Sequence, residues 1–377
     1  MHDPRLDKLA EVIVRHCARV RTGDLVTIVA EADCLDGVEA VFRAVLVAGA
    51  HPSFHPRSER LQQLVLIHAG DEQLRHVCPF EEFRLARCDV LIVLRTSNNT
   101  RFLGGIDPSR TATMHAARRD LISMSMQRSA EGRMRYVLAE LPSNGAAQDA
   151  EMSLAQYSDF VYGAGFLQLA DPISAWKALH EQQERARVFL QARQVLRIRA
   201  DPVGDAGPTD LTVDVSGRTW VNCAAGQNFP DGEVFSGPRA VNGVLRLTHP
   251  TAYKGREVSG VSLTFRDGRV VDADARTNAD YLTGMLDMDA GARFAGEIGI
   301  GTNYNLHHFV RNAFFDEKIG GTFHIALGAG YPETGNTNQS GLHWDFVSDL
   351  RHGGTIEADG EIIQRDGRFT KPGWPGN

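Results

Sequence analysis

Residues Val90–Leu94 read VLIVL, five apolar side chains in succession. A continuous apolar run of this length is typical of a strand that is buried on both faces, as strands of parallel sheets are. Other β-rich runs occur at 24–30 (DLVTIVA) and 136–139, while apolar residues at helical spacing occupy 38–47 and 108–128. This alternation of helix and strand predicts an α/β domain with a largely parallel sheet.

The sequence pattern changes after Val195. Glycine becomes frequent, and short alternating runs such as 211–215 are separated by turn sequences such as Asp267-Gly268, which are typical of hairpins. A chain of 377 residues is long enough for two domains. We therefore predict an α/β domain at 1–195, with a largely parallel sheet, and a β-rich α+β domain at 196–377.

The composition argues against several classes of protein. Hydrophobic residues make up 42% and charged residues 23% of the chain, which is typical of a globular protein. The net charge of −7 argues against a general nucleic-acid binder, and no run approaches the ~20 apolar residues of a membrane-spanning helix. The N-terminus lacks the pattern of a secretory signal, and the five cysteines are widely spaced. We expect a cytoplasmic protein with no nucleic-acid or membrane partner.

A His-x-Asp pair stands out in the second half of the chain. In the sequence His343-Trp344-Asp345, a strand would place the histidine and the aspartate on one face and the tryptophan on the other. An imidazole and a carboxylate on one face form half of a metal site, although such a pair alone is more often a solvated surface pair. His324 lies in the apolar run 322–328, where a lone histidine is more often a core residue than a ligand.

Carboxylates in apolar surroundings favour a metal site over a surface pair or a core histidine. Glu297 lies between glycines and apolar residues in AGEIGIG (295–301), and Glu233 has a similar setting in DGEVF (231–235). A buried carboxylate is costly unless a cation or hydrogen bonds compensate it. Several such carboxylates and two histidines in one domain indicate that the compensating cation is a metal.

Four segments in this half resemble the metallo-aminopeptidases of the aminopeptidase T, aminopeptidase S and PepS type. They are DGEVFSGP (231–238), GEIGIGTN (296–303), FFDEK with GTFHIALGAGY (314–331) and NQSGLHWDFV (338–347). Residues 139–164 and 209–218 also resemble the corresponding parts of this family. Because the four segments follow one another in the family's order, the resemblance is specific.

The resemblance implies an N-terminal α/β domain, a C-terminal catalytic domain with two divalent metal ions, and a homodimer. The metal ligands that it implies are Glu233, Glu297, Glu317, His324, His343 and Asp345. It also implies a functional tyrosine at Tyr331, seven residues after His324. Many members have the third glutamate five residues before the histidine, whereas Glu317 and His324 are seven apart, as if two residues were inserted between them.

The implied ligand set makes chemical sense for two divalent ions. Its four carboxylates would carry four negative charges, which two such ions would balance in a poorly solvated pocket. Oxygen-rich ligation with two imidazoles suits zinc, cobalt or manganese. We expect an aminopeptidase that hydrolyses the N-terminal peptide bond of peptides through a hydroxide bound by both metals. In this mechanism Glu297 carries the proton to the leaving amine, and Tyr331 donates to the developing oxyanion.

Two alternative functions remain open at this point. Ring-cleaving dihydroxypyridine dioxygenases share the implied fold and use a single non-haem iron with a glutamate and a similar His/Asp pair. The additional ligands Glu233, Glu317 and His324 favour the dinuclear hydrolase. The second alternative is a hydrolase of other amides, or a binding protein, that retains the metals.

A further motif, His180-Glu-Gln-Gln-Glu184, resembles the start of a zinc-binding helix. It lacks the second histidine of that motif, because the fifth residue is a glutamate. The segment is therefore predicted to be a solvated, charged face of a helix.

Overall fold

The computed structural model describes residues 3–202 and 207–377. Its chain forms two compact units, one of Met1–Ile173 with Ala225–Pro230 and the other of Ser174–Ala224 with Asp231–Asn377. None of the helices in the described ranges combines the length and the hydropathy that crossing a membrane requires.

The second unit begins at Ser174, whereas the sequence analysis places the boundary between residues 195 and 196. The helix Pro172–Gln191 accounts for this difference. Its residues Ala186 and Leu190 are fully buried in the hydrophobic core of the second unit, so nearly all of the helix belongs to that unit.

The secondary-structure elements alternate in the first half of the chain and are mostly strands in the second. The strands are β1 (Leu25–Glu31), β2 (His51–Arg57), β3 (Val90–Arg95), β4 (Arg135–Glu140), β5 (Val195–Ala200), β6 (Thr209–Asp214), β7 (Val221–Cys223), β8 (Asn228–Phe229), β9 (Glu233–Ser236), β10 (Ala240–Arg246), β11 (Thr251–Tyr253), β12 (Arg256–Val258), β13 (Ser262–Arg266), β14 (Arg269–Asp274), β15 (Ala295–Gly301), β16 (Thr322–Gly328), β17 (His343–Asp349), β18 (Thr355–Ala358), β19 (Glu361–Arg365) and β20 (Arg368–Phe369). The α-helices are α1 (Pro4–Glu11), α2 (Leu35–Val47), α3 (Glu59–His68), α4 (Asp71–Arg75), α5 (Pro79–Arg87), α6 (Pro108–Ala117), α7 (Arg119–Ala130), α8 (Asn144–Asp149), α9 (Leu154–Ala164), α10 (Pro172–Gln191), α11 (Ala279–Leu286) and α12 (Ala313–Asp316). A π-helical segment spans Val12–Cys17, and a 3₁₀ turn spans Pro332–Thr334.

The first unit is an α/β fold on a parallel sheet of order β2-β1-β3-β4-β8. Val90 and Ile92 of the central strand β3 are fully buried, as the apolar run predicts. The α/β class and the largely parallel sheet are thus confirmed. The prediction of one helix over 108–128 is wrong, because Arg118 (φ −92°, ψ 3°) interrupts the helical backbone between α6 and α7.

Local sequence explains where several of these helices begin. Asp3 caps α1 by accepting a hydrogen bond from the backbone N–H of Arg5, and Pro4 occupies the first turn, where its missing N–H costs nothing. A capping box starts α9, in which Ser153 Oγ accepts from the N–H of Gln156 and the Gln156 side chain accepts from the N–H of Ser153.

The second unit contains two larger antiparallel sheets, which confirms the prediction of a β-rich C-terminal region. One has eight strands in the order β14-β13-β10-β6-β5-β18-β19-β20, and the other has five strands in the order β17-β16-β15-β9-β7. Buried side chains from both sheets, such as Ile198, Leu263, Ile298 and Phe346, belong to one hydrophobic core.

The five-stranded sheet directs alternate side chains towards this core. In β16 the core residues are Phe323, Ile325 and Leu327, and in β17 they include Trp344 and Phe346. Since successive side chains of a strand point to opposite faces, the residues between them lie on the other face of the sheet. That second face carries the polar residues considered next.

Candidate metal centre

Four adjacent strands bring five of the six predicted ligands to one face of the five-stranded sheet. Glu233 begins β9, Glu297 lies in β15, His324 lies in β16, and His343 and Asp345 lie in β17. Their strand neighbours Val234, Ile298, Ile325 and Trp344 all belong to the hydrophobic core, so the five polar side chains share the opposite face.

Glu297 lies between the two histidines and offers one oxygen to each. The Nε2 atom of His324 is 3.4 Å from Oε1 of Glu297, and the Nε2 atom of His343 is 3.6 Å from its Oε2. Glu233 Oε2 is 3.5 Å from His324 Nε2, and Asp345 Oδ1 is 3.6 Å from His343 Nε2. Glu297 is therefore placed to be shared by two neighbouring ions.

Three groups of side chains have the composition and spacing of a metal site. They are Glu233 with Glu297 and His324, Glu297 with His343 and Asp345, and Glu317 with His324 and Asp345. Within each group, one potential ligand atom per residue lies within 4.8 Å of the others. All six predicted ligands thus converge, Glu317 included, although its interval from His324 is two residues longer than in many proteins of the resembled family.

Two buried carboxylate oxygens of this cluster lack hydrogen-bond partners. Glu233 Oε2 and Asp345 Oδ1 are both inaccessible to solvent, and neither accepts a hydrogen bond. An unpaired buried polar atom costs about 1–3 kcal/mol, and more when it is charged. Glu233 Oε2 faces Nε2 of His324, and Asp345 Oδ1 faces Nε2 of His343. A cation bound between the oxygen and the nitrogen of each pair would satisfy both of its atoms. The donor set therefore fits divalent metal ions.

The electrostatics of the cluster also fit the binding of cations. Burial and the neighbouring carboxylate Glu317 raise the pKa of Glu233 to about 8 and that of Asp345 to about 7. Burial alone would lower the pKa of His324, but its hydrogen bond to Glu297 and the charge of Glu233 raise it to about 10. Without a metal, the crowded carboxylates retain protons that bound cations would replace.

Backbone contacts orient two of the candidate ligands. His343 Nδ1 lies 3.0 Å from the carbonyl oxygen of Ala329, so Nε2 is left facing the cluster. The side-chain amide of Gln183, on α10, donates to the carbonyl oxygens of Glu233 (2.6 Å) and Cys223 (2.9 Å). These hydrogen bonds hold the backbone at the start of β9, from which the Glu233 side chain extends.

Gln183 belongs to the motif 180–184, for which the sequence predicts a solvated face. His180 and Glu181 are indeed exposed, but the prediction is wrong for Gln183, which is fully buried. The signal was present in the sequence, because Trp176, Leu179 and Gln183 follow the helical spacing of a buried stripe.

Gly299 makes room for the imidazole of His324. The two residues are paired across β15 and β16. A Cβ atom on Gly299 would lie 2.1 Å from Cε1 of His324, far closer than atoms can approach. The glycine after Glu297 in the motif GEIGIG is therefore required by the position of the histidine.

Tyr331 lies beside the cluster on the loop after β16. Its ring packs edge-on against His343, with the ring centres 5.4 Å apart, and against Phe235. The residue as a whole is 39% exposed. Burial of the ring and the nearby carboxylates raise the pKa of Tyr331, so the phenol keeps its proton and can donate a hydrogen bond.

Lys318 is a part of the cluster that the sequence analysis missed. Its side chain is fully buried, its ammonium contacts the carboxylate of Glu317, and Nζ lies 3.6 Å from Oε1 of Glu233. A lysine beside acidic residues in FFDEK has the appearance of a surface charge, so the sequence carried no usable signal. With all four carboxylates ionised, as metal ligation would require, and Lys318 charged, these five side chains carry three net negative charges.

Comparison with known proteins places the chain among metalloproteases. The chain matches the thermophilic metalloprotease (M29) family over residues 2–369. Aminopeptidase 2 of Geobacillus stearothermophilus is 26% identical over 415 residues, which cover 97% of this chain and 98% of that protein. Aminopeptidase T of Thermus aquaticus is 25% identical over 360 residues, which cover 89% of this chain and 87% of that protein.

A solved structure shows the same fold. The structure described as wild-type AmpT from Thermus thermophilus matches with a TM-score of 0.84 at 22% sequence identity, covering 98% of this chain and 99% of that one. These matches confirm the resemblance proposed from the sequence motifs. The alternative of a ring-cleaving dioxygenase finds no support among them.

Proposed function

The chain belongs to the thermophilic metalloprotease (M29) family, and we propose that it removes N-terminal residues from peptides with a pair of divalent metal ions. It is a metal-dependent aminopeptidase, a hydrolase of the exopeptidase type. Its similarity to aminopeptidases along nearly the whole chain supports this assignment. The residues that we propose as metal ligands are Glu233, Glu297, Glu317, His324, His343 and Asp345.

The sharing of Glu297 between two groups of ligands supports the proposal of two ions. One ion would lie among Glu233, Glu297 and His324, and the other among Glu297, His343 and Asp345. Two divalent ions would exceed the three net negative charges of the cluster by one. This balance leaves room for one anionic group of solvent or substrate.

The bound ions would polarise the scissile carbonyl and acidify a water molecule. The protein's own groups then handle the protons and the developing charge. We propose that Glu297, which lies between the two histidines, takes the proton of the attacking water and delivers it to the leaving amine. The hydroxyl of Tyr331 would donate a hydrogen bond to the carbonyl oxygen as negative charge develops on it.

Aminoacyl-p-nitroanilides with free and with acetylated N-termini test this function. We expect chelator-treated protein to be inactive, and zinc, cobalt or manganese to restore hydrolysis of the free-amine substrates only. Equal hydrolysis of the acetylated substrates would contradict an aminopeptidase and favour a hydrolase of other amides. A metal-loaded protein that cleaves neither class would contradict the proposal altogether.

The choice among zinc, cobalt and manganese, the homodimer and the cytoplasmic location remain predictions. The ligand chemistry supports all three metals, because it combines carboxylate oxygens with imidazole nitrogens. The homodimer is implied only by the sequence resemblance, and light scattering of the purified protein would test it.

A further inference from the structure

Lys318 places a positive charge inside the group of candidate ligands. None of its side chain is exposed, and its ammonium lies 4.9 Å from the centre of the Phe314 ring. The carboxylates of Glu317 and Glu233 both lie within ion-pair distance of this ammonium, and both belong to proposed metal ligands.

The lysine engages one oxygen of each glutamate. Its Nζ contacts Oε1 of Glu317 and lies 3.6 Å from Oε1 of Glu233. The second oxygen of Glu233, Oε2, faces His324 Nε2 at 3.5 Å and has no hydrogen-bond partner. The carboxylate of Glu233 is thus divided between an ammonium on one side and the candidate metal position on the other. Glu317, whose Oε1 contacts the same ammonium, also belongs to a candidate ligand group.

This division matters because a carboxylate binds a divalent ion through one oxygen or through both. Binding through both oxygens fills an additional coordination position, whereas a catalytic site must keep a position open for water or substrate. We infer that Lys318 is a positioning residue that restricts Glu233 and Glu317 to one metal-binding oxygen each. The inference rests on the proposed function, because it assumes that the cluster binds metal ions.

Cobalt-loaded protein tests the inference, since the visible absorption of cobalt weakens as its coordination number rises. The variant Lys318→Met removes the ammonium and frees Oε1 of both glutamates. The matched control is Lys371→Met in the same unit, because Lys371 also contacts a glutamate, Glu361, and lies over the ring of Phe189. Bound cobalt per chain, cobalt affinity, the absorption spectrum and kcat are measured for each protein.

We expect Lys318→Met to bind as many cobalt ions as the wild type, at least as tightly, but with weaker visible absorption. Its kcat should fall about 10- to 100-fold, the usual cost of losing a group that orients metal ligands. The Lys371→Met control should match the wild type in all four measurements. An unchanged spectrum in Lys318→Met, or a loss of its bound cobalt, would overturn the inference. If the wild type itself binds no cobalt, the proposed function fails instead.

A crystal structure of the cobalt-loaded wild type tests the same inference without any variant, should Lys318→Met fail to fold. We expect Oε1 of Glu233 and of Glu317 to remain on the Lys318 ammonium, with one oxygen of each glutamate on cobalt. Two-oxygen binding by either glutamate in that structure would overturn the inference.

Discussion

Tyr331 is the residue whose chemistry is most easily separated from metal binding. Replacing it with phenylalanine removes only the hydroxyl and preserves the ring contacts with His343 and Phe235. We expect kcat for a leucyl p-nitroanilide to fall about 10²- to 10³-fold, as happens when one donor to an oxyanion is lost. Metal content, measured by atomic absorption, should not change. A Tyr331→Phe variant with wild-type kcat would remove the hydroxyl from the mechanism.

Glu297 and Glu233 should differ in how many ions depend on them. Glu297 belongs to two of the candidate ligand groups, whereas Glu233 belongs to one. Glu297→Gln should therefore weaken the binding of both ions, and Glu233→Gln should weaken only one. Elemental analysis after dialysis measures this, with Glu333→Gln as a control, because Glu333 is exposed and close to Tyr331 in sequence. Equal losses in the two ligand variants would contradict a shared carboxylate.

At this scale the sequence predicted which polar side chains converge better than it predicted the residues that support them. The alternation of a strand places His343 and Asp345 on one face, but the rest of the ligand set came from resemblance to family motifs. Helical spacing indicates that Gln183 is buried, but the roles of Lys318 and Gln183 depend on contacts with Glu233, which is distant from Gln183 and Lys318 in the chain. A buried partner of a distant residue leaves little trace in local sequence.

Among the elements, the pairing of β15 with β16 can be tested through Gly299. The Gly299→Ala variant places a methyl group where the imidazole of His324 lies. We expect the histidine or the strands to shift, with a loss of about 1–3 kcal/mol of stability and weaker metal binding. Thermal unfolding with metal titration measures both effects. The control is Gly284→Ala in α11, where no neighbouring atom lies within 4 Å of an added Cβ.

A Gly299→Ala variant that retains wild-type metal affinity would show that the close approach of this glycine and His324 is not needed for the site. The control should be neutral or slightly more stable, because alanine favours a helix more than glycine does.

Periodicity predicted several of the strands, such as β1, β3 and β6, and the shared face of His343 and Asp345 in β17. It did not predict the order β17-β16-β15-β9, which makes neighbours of strands that are separated by long segments of chain. The turns and hydrogen bonds that align such strands involve many residues from separate parts of the chain, so no local pattern predicts them. The break between α6 and α7 was missed for a similar reason, since Arg118 is a good helix former and nothing in its own chemistry marks an end.

For the whole molecule, the cluster predicts how metal-free stability depends on pH. The pKa values of Glu233 (about 8) and Asp345 (about 7) lie above those of an unfolded chain, so protons stabilise the folded state at these positions. The pKa of His324 is also raised, to about 10, and its contribution is likewise lost as the pH rises. All three groups therefore lower the stability of the folded state as the pH rises from about 5 to about 9.

We therefore expect the Tm of chelator-treated protein to fall as the pH rises from about 5 to about 9, and added metal to remove most of this dependence. Scanning calorimetry with and without metal measures both curves. A metal-free Tm that rises over this range would contradict the electrostatic account of the cluster.

The composition and the two halves of the chain predicted the overall architecture correctly, with an α/β unit followed by a β-rich one. The change of pattern after Val195 marks where strands become dominant, whereas the second unit begins at Ser174. The difference is α10, which has the same amphipathic pattern as the helices of the first unit. The spacing of its apolar residues predicts a helix, but does not show which unit's hydrophobic core the helix packs against.

The central claim is that six side chains of the second unit hold two ions that share Glu297. Anomalous diffraction at the absorption edge of the bound metal, from crystals of the loaded protein, tests it most directly. We predict two anomalous peaks per chain, one on each side of the Glu297 carboxylate. One metal ion should be bonded to His324 and the other to His343. A single peak, or peaks that lie away from Glu297, would contradict the account.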